Sequence, residues 1–119
     1  MPAPGYGTVT PRIFVEDVAG CVDFLRAVFD ATGELEGDRP VEAQIGDSLV
    51  MVSSSTALQR TAFPAFLYVY VEDADATFRR AVAAGATVLE EPIDQFYGDR
   101  RAMVSDAFGN VYQIAHRLS

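Results

Sequence analysis

Lysine and tryptophan are absent from this chain, and cysteine and histidine occur once each, as Cys21 and His116. Without lysine there is neither Schiff-base chemistry nor a lysine general base. One cysteine closes no intramolecular disulfide, so a reducing, cytoplasmic setting is expected. Cys21 falls inside a helical pattern, where a small buried group is expected rather than a nucleophile. Long apolar runs are missing too. The longest, Ala65 to Val71, is far too short to span a bilayer, and Met1 to Pro11 has neither the basic start nor the apolar core of a secretory signal. Positive charge is scarce: nine basic residues, all arginine, stand against 17 acidic ones, for a net charge of −8. That balance argues against nucleic acid and anionic membrane as partners and favours a cationic small molecule, or simple solubility. Arginine-only, alanine-rich usage fits a GC-rich bacterial genome.

What is present is a repeat. Val15-Glu16-Asp17 closes an apolar run and opens a helical pattern, and Val71-Glu72-Asp73 does the same 56 residues later. At that offset Phe14 meets Tyr70, Val22 meets Phe78 and Ala27 meets Ala83. A period near half of a 119-residue chain implies two copies of one supersecondary unit in a single domain, with a ligand where the copies face each other. Alternation predicts a strand over Thr8 to Val15, and Asp17 is a good N-cap for a helix running to about Phe29. Strands are then predicted over Gly33 to Glu36, Val41 to Ile45 and Ser48 to Ser53, the last two joined through a Gly46-Asp47 turn. The second copy repeats the pattern. It has strands over Ala65 to Val71, Thr87 to Glu90, Arg101 to Ser105 and Val111 to Ala115, with a helix from Asp73 to about Ala84. Glu91 to Asp99 reads as a loop, and Asp106 to Asn110 as a turn in which Gly109 and Asn110 tolerate left-handed backbone. The division is a first copy over 8–53, a polar linker over 54–64 and a second copy over 65–116.

The strand faces carry the functional expectation. Thr10, Arg12 and Phe14 superpose on Phe66, Tyr68 and Tyr70, while the opposite faces of both strands are aliphatic. A helix packs on an aliphatic face, so the polar-aromatic faces are expected to line one shared concavity.

A tandem β-α-β-β-β unit with Val-Glu-Asp before each helix resembles the vicinal oxygen chelate superfamily, which includes glyoxalases, bleomycin-resistance proteins and extradiol dioxygenases. Phe96-Tyr97-Gly98-Asp99-Arg100 followed by Asp106-Ala107-Phe108-Gly109-Asn110 matches the family's recurring pattern, and Gly46-Asp47-Ser48 fits at the first hairpin. The resemblance covers nearly the whole chain. It implies an α+β fold, glyoxalase/bleomycin-resistance-like, in which the two copies form a cupped mixed sheet. It also implies a homodimer whose two chains build two grooves. In the family's metal enzymes, His and Glu ligands come from inward strand positions; here those fall on Thr10, Phe66 and Gln113, and Leu49 to Val52 holds no ligand type. No metal and no other cofactor is therefore expected.

The candidate ligand-binding residues are Arg12, Glu42, Phe66, Tyr68, Tyr97, Arg100 and Gln113. Arg12 needs an anionic partner, either Glu42 across the sheet or a ligand group. Tyr97 and Arg100 either line the mouth of the cavity or belong to a structural turn. His116 reads as a surface or edge residue. Two functions stay open. One is a metal-free protein that sequesters a flat aromatic or cationic compound. The other is a divalent-metal-dependent lyase, isomerase or dioxygenase using the same cup, for which Glu42 and His116 are the only plausible bases.

Overall fold

A computed structural model describes residues 5–37, 39–56 and 61–119. Most of the expected linker centre, 57–60, lies outside the described residues, as do 38 and 1–4. In chain order the elements are β1 (Arg12–Val15), α1 (Val18–Phe29), β2 (Val41–Ile45), β3 (Ser48–Ser54), β4 (Phe66–Tyr70), α2 (Ala74–Ala83), β5 (Thr87–Asp94), β6 (Asp99–Ser105) and β7 (Val111–Arg117). They form a three-stranded sheet, β1-β3-β2, and a four-stranded sheet, β4-β7-β6-β5. In both, the opening strand sits at an edge, parallel to the closing strand of its own half. The fold class is α+β, as expected.

Both helices start where an aspartate can cap them. The Asp17 carboxylate accepts from the Gly20 amide at 2.9 Å, and that of Asp73 accepts from the Ala76 amide at 3.2 Å. Such caps satisfy amides that have no partner inside the helix. No described helix is long and apolar enough to cross a membrane.

The first half departs from the expected pattern. Gly33 to Glu36 is not a strand; only an isolated bridge, Thr32 to Gln44, stands where the outer strand would be. The backbone explains it. Asp30 is left-handed at φ 55°, Gly33 lies at φ 142°, and a side chain on Gly33 would come within 2.7 Å of the Glu42 carbonyl oxygen. A segment with two such turns cannot keep a ladder. β5, by contrast, runs past the expected stop at Glu90 to Asp94. It gets there through two register shifts, around Glu90 and before Ile93, which accommodate Pro92. β1 begins only at Arg12, because Pro11 has no amide to donate.

The core is continuous between the halves. α1 packs on β2 and β3 of its own half and on α2 of the other. Its Phe24 and Phe29 rings lie 5.5 and 5.4 Å from the ring of Tyr112 in β7, which is completely buried. Cys21 is buried on the same helix. Burial, reinforced by the nearby charges of Asp106 and Asp17, pushes its thiol up to about 12. The thiolate is the reactive form. Native protein at pH 8 should therefore leave Cys21 unlabelled by iodoacetamide over hours, with full labelling within minutes in denaturant; rapid native labelling would contradict the burial.

The turn before β7 ties these parts together. The Asp106 carboxylate accepts from the amides of Phe108 (2.9 Å) and Asn110 (3.0 Å), from Asn110 Nδ2 (2.8 Å) and from the Tyr112 hydroxyl (2.8 Å). Asn110 Oδ1 in turn accepts from the Ala65 amide at 2.8 Å, at the entry to β4. Gly109 has the expected positive φ, but Asn110 does not: its contribution is its buried side chain.

Candidate functional site

Because α1 is packed between its own sheet and Tyr112 of the other, the helix-covered faces of both sheets turn toward one core. The opposite faces are open. Arg12, Phe14 and Glu42 lie on the first, and Phe66, Tyr68 and Tyr70 on the second. No hydrogen bond, ion pair or ring contact joins these two sets of residues. The shared concavity expected of a single chain is thus not formed, since the helices, not the polar-aromatic faces, occupy the space between the sheets.

On the first face Arg12 does not pair with Glu42. Both lie opposite Met51, on either side of β3. The Arg12 guanidinium donates to Ser53 Oγ at 3.0 Å and sits 4.8 Å over the Phe14 ring, while Glu42 accepts from the Tyr6 hydroxyl.

The second face is richer. Phe66 is 64% exposed, Tyr70 60% and Tyr68 39%. β4-β7-β6 registration puts Tyr68, Gln113 and Met103 in one row and Tyr70, Ala115 and Arg101 in the next. Asp99, at the start of β6, is completely buried beneath the tyrosines. It accepts from Tyr68 Oη at 2.5 Å, Tyr70 Oη at 2.8 Å and Arg117 Nη1 at 2.7 Å. These donors, Tyr68 foremost, hold its carboxyl below the usual carboxylate range in spite of burial. Tyr97 reaches the same cluster, with Oη 3.2 Å from Tyr68 Oη and 3.1 Å from Arg101 Nη1. Arg101 also pairs with Glu90 at 2.8 Å.

The candidate residues therefore separate. Phe66, Tyr68, Tyr97 and Gln113 share one face; Arg12 and Glu42 lie on the other sheet. Arg100 belongs to neither group, because strand alternation turns it to the helix side, where it pairs with Asp75 of α2 at 2.7 Å and Asp94 at 3.0 Å. Asp99, Tyr70, Arg101 and Arg117 were not among the candidates. Their signal is present in the alternation of β6 and β7, but only the strand register shows that they meet. His116 is half-buried, and its Nδ1 accepts from the Ala74 amide at 2.7 Å, so it adds a second cap to α2. A bond of that sense fixes the proton on Nε2.

The residues at the family's ligand positions do not suit a divalent ion. Phe66 has no donor atom and Gln113 offers a neutral amide. Among the described residues no three His, Cys, Asp or Glu side chains cluster closely enough to hold a metal. A cleft of ≈ 840 Å³ wraps the edge of β4 between Asp47 and α2. Of the candidate residues, only Tyr68 lines it.

Comparison with known proteins agrees with this architecture. The crystal structure of TioX from Micromonospora sp. ML1 superposes with a TM-score of 0.79 at 24% identity, over 94% of this chain and 99% of that one. A glyoxalase/bleomycin resistance protein/dioxygenase family enzyme from Burkholderia phytofirmans PsJN gives 0.79 at 22% identity, over 92% and 97%. Both likenesses are of fold. In sequence, uncharacterized proteins of Mycobacterium bovis and Mycobacterium tuberculosis are each 29% identical over 122 residues; the match spans 89% of this chain, and 80% and 72% of theirs. Residues 7–114 match the family model described as glyoxalase/bleomycin resistance protein/dioxygenase superfamily, and the chain belongs to that superfamily.

Proposed function

We propose that the protein binds a small planar molecule on the open face of the second sheet and sequesters it without a metal. The observation that supports this reading is the exposed platform of Phe66, Tyr68 and Tyr70, braced from below by Asp99. Water-facing aromatics on a pinned scaffold keep their apolar area available to a guest at little ordering cost. The ring centroids of Tyr68 and Tyr70 are 5.3 Å apart and tilted by 59°, a geometry that presents one π-face and one edge.

Within this chain Arg12 and Glu42 find their partners on their own sheet, away from the platform. We therefore propose a homodimer in which the first sheet of one chain covers the second sheet of its partner. Each of the two grooves then has an aromatic floor and a charged wall.

The test is calorimetric titration with planar aromatic compounds, together with light scattering for the oligomeric state. A good aromatic contact contributes on the order of 1 kcal/mol, so Tyr68→Ala should weaken binding by about fivefold. Unchanged affinity in Tyr68→Ala would remove the platform from the site. Stoichiometric binding of Ni²⁺, Mn²⁺ or Zn²⁺ that disappears in Gln113→Ala would favour a metal enzyme instead.

A further inference from the structure

One buried carboxylate orders every phenol proton on the open face. A phenol has a single proton to donate. Tyr68 and Tyr70 both give theirs to Asp99 Oδ2, at 2.5 and 2.8 Å. With the Tyr68 proton spent, its 3.2 Å contact with Tyr97 is made by the Tyr97 proton. Tyr97 Oη accepts in turn from Arg101 Nη1 at 3.1 Å. All three protons point into the network, so the hydroxyls offer a guest only lone pairs.

The guanidinium charges of this face are paired as well, although Arg101 Nε is buried without a hydrogen-bond partner. Arg101 is held by Glu90 and Tyr97, and Arg117 by Asp99 and the Tyr97 carbonyl. Gln113, beside Tyr68, carries both a donor and an acceptor and so does not discriminate. The rings add their negative π-faces, which attract cations.

Building on the binding reading above, we infer that Asp99 sets the ligand class of this face: a planar aromatic guest that brings its own N–H donors or positive charge. A guest carboxylate would exchange its water for lone pairs and find no free phenol donor, a costly desolvation. Asp99 is a positioning residue here, since it reaches the guest only through the tyrosines.

The test compares proflavine, a flat cation with two amino groups, with anthracene-2-carboxylate, a flat anion of similar size. Both are titrated calorimetrically at about 0.15 M salt, which screens the long-range pull of the acidic surface. The wild-type protein should prefer proflavine by at least about tenfold. In Asp99→Asn the side-chain amide donates to one phenol and turns its proton outward, so the preference should fall below about threefold. Tyr97→Phe leaves Asp99 intact and changes no charge, but it frees Arg101 Nη1 toward the guest; it should narrow the preference likewise, and it serves if the first variant does not fold.

An ultraviolet pH titration gives an independent readout. Burial and the Asp99 bond raise the Tyr68 phenol, and the Asp99 bond foremost raises that of Tyr70. In the wild type these two should therefore ionise above the range of a free phenol, and in Asp99→Asn earlier than in the wild type. Equal affinity for the two compounds, or a preference unchanged in both variants, overturns the inference. If Tyr68 and Tyr70 titrate as a free phenol does, the proton ordering alone is wrong and aromatic binding still stands. If neither compound binds while the two phenols are held back, the binding reading fails and this inference with it.

Discussion

Replacing Asp106 with alanine should cost about 3–5 kcal/mol, much of the stability of a domain this size. The carboxylate gathers four donors, and two of them, Asn110 Nδ2 and the Tyr112 hydroxyl, belong to fully buried side chains. Alanine strands both. Each unsatisfied buried donor costs roughly 1–3 kcal/mol, and the turn amides lose their local acceptor besides. Asn110 Nδ2 keeps only a long contact to Cys21 Sγ at 3.7 Å. Urea denaturation should show a lower midpoint with an unchanged slope. A loss below about 1 kcal/mol would mean that backbone geometry alone holds the turn.

Tyr112→Ala should be similarly damaging, at roughly 3–5 kcal/mol. Its ring is completely buried against Phe24 and Phe29, so truncation opens a cavity where the first half's helix meets the second half's sheet. It also leaves one Asp106 oxygen without the phenol at 2.8 Å. Tyr112→Phe separates the two contributions, because it keeps the ring and removes only the hydrogen bond, for about 1–2 kcal/mol. Combining Tyr112→Phe with Asp106→Ala should cost less than the sum of the single changes, since both sever the same bond. Strict additivity in that cycle would place the two groups in separate networks.

The fold was legible because its signals are local. The Val-Glu-Asp repeats placed both helix starts: Asp17 and Asp73 cap them as the side-chain chemistry requires. Alternation in β4 separated Phe66, Tyr68 and Tyr70 from Leu67, Val69 and Val71, and the two sets face solvent and core. The missing strand near Gly33 was not legible, because a glycine between apolar residues suits a strand as well as a left-handed turn.

Half of the site could be read from single strands. The rest required register. Nothing in the sequence around Asp99 shows that Tyr68 and Tyr70, 31 and 29 positions earlier, donate to it. Arg100 and Arg101 are adjacent and chemically alike, yet alternation sends one to α2 and the other to the platform. Periodicity told which face of each strand a helix would cover, but not how the two sheets would be set against each other. That arrangement decided whether the two polar-aromatic faces met within one chain.

The duplicated plan has been kept unequally. Strands in a sheet sit about 4.8 Å apart, so four of them make a floor roughly 14 Å across, whereas the trimmed half offers roughly 10 Å. If one acts as bed and the other as cover, a fused three-ring guest lies wholly on the bed while one margin stays uncapped. A bulky substituent on such a guest then has room beyond β2, where one lone bridge replaces a strand.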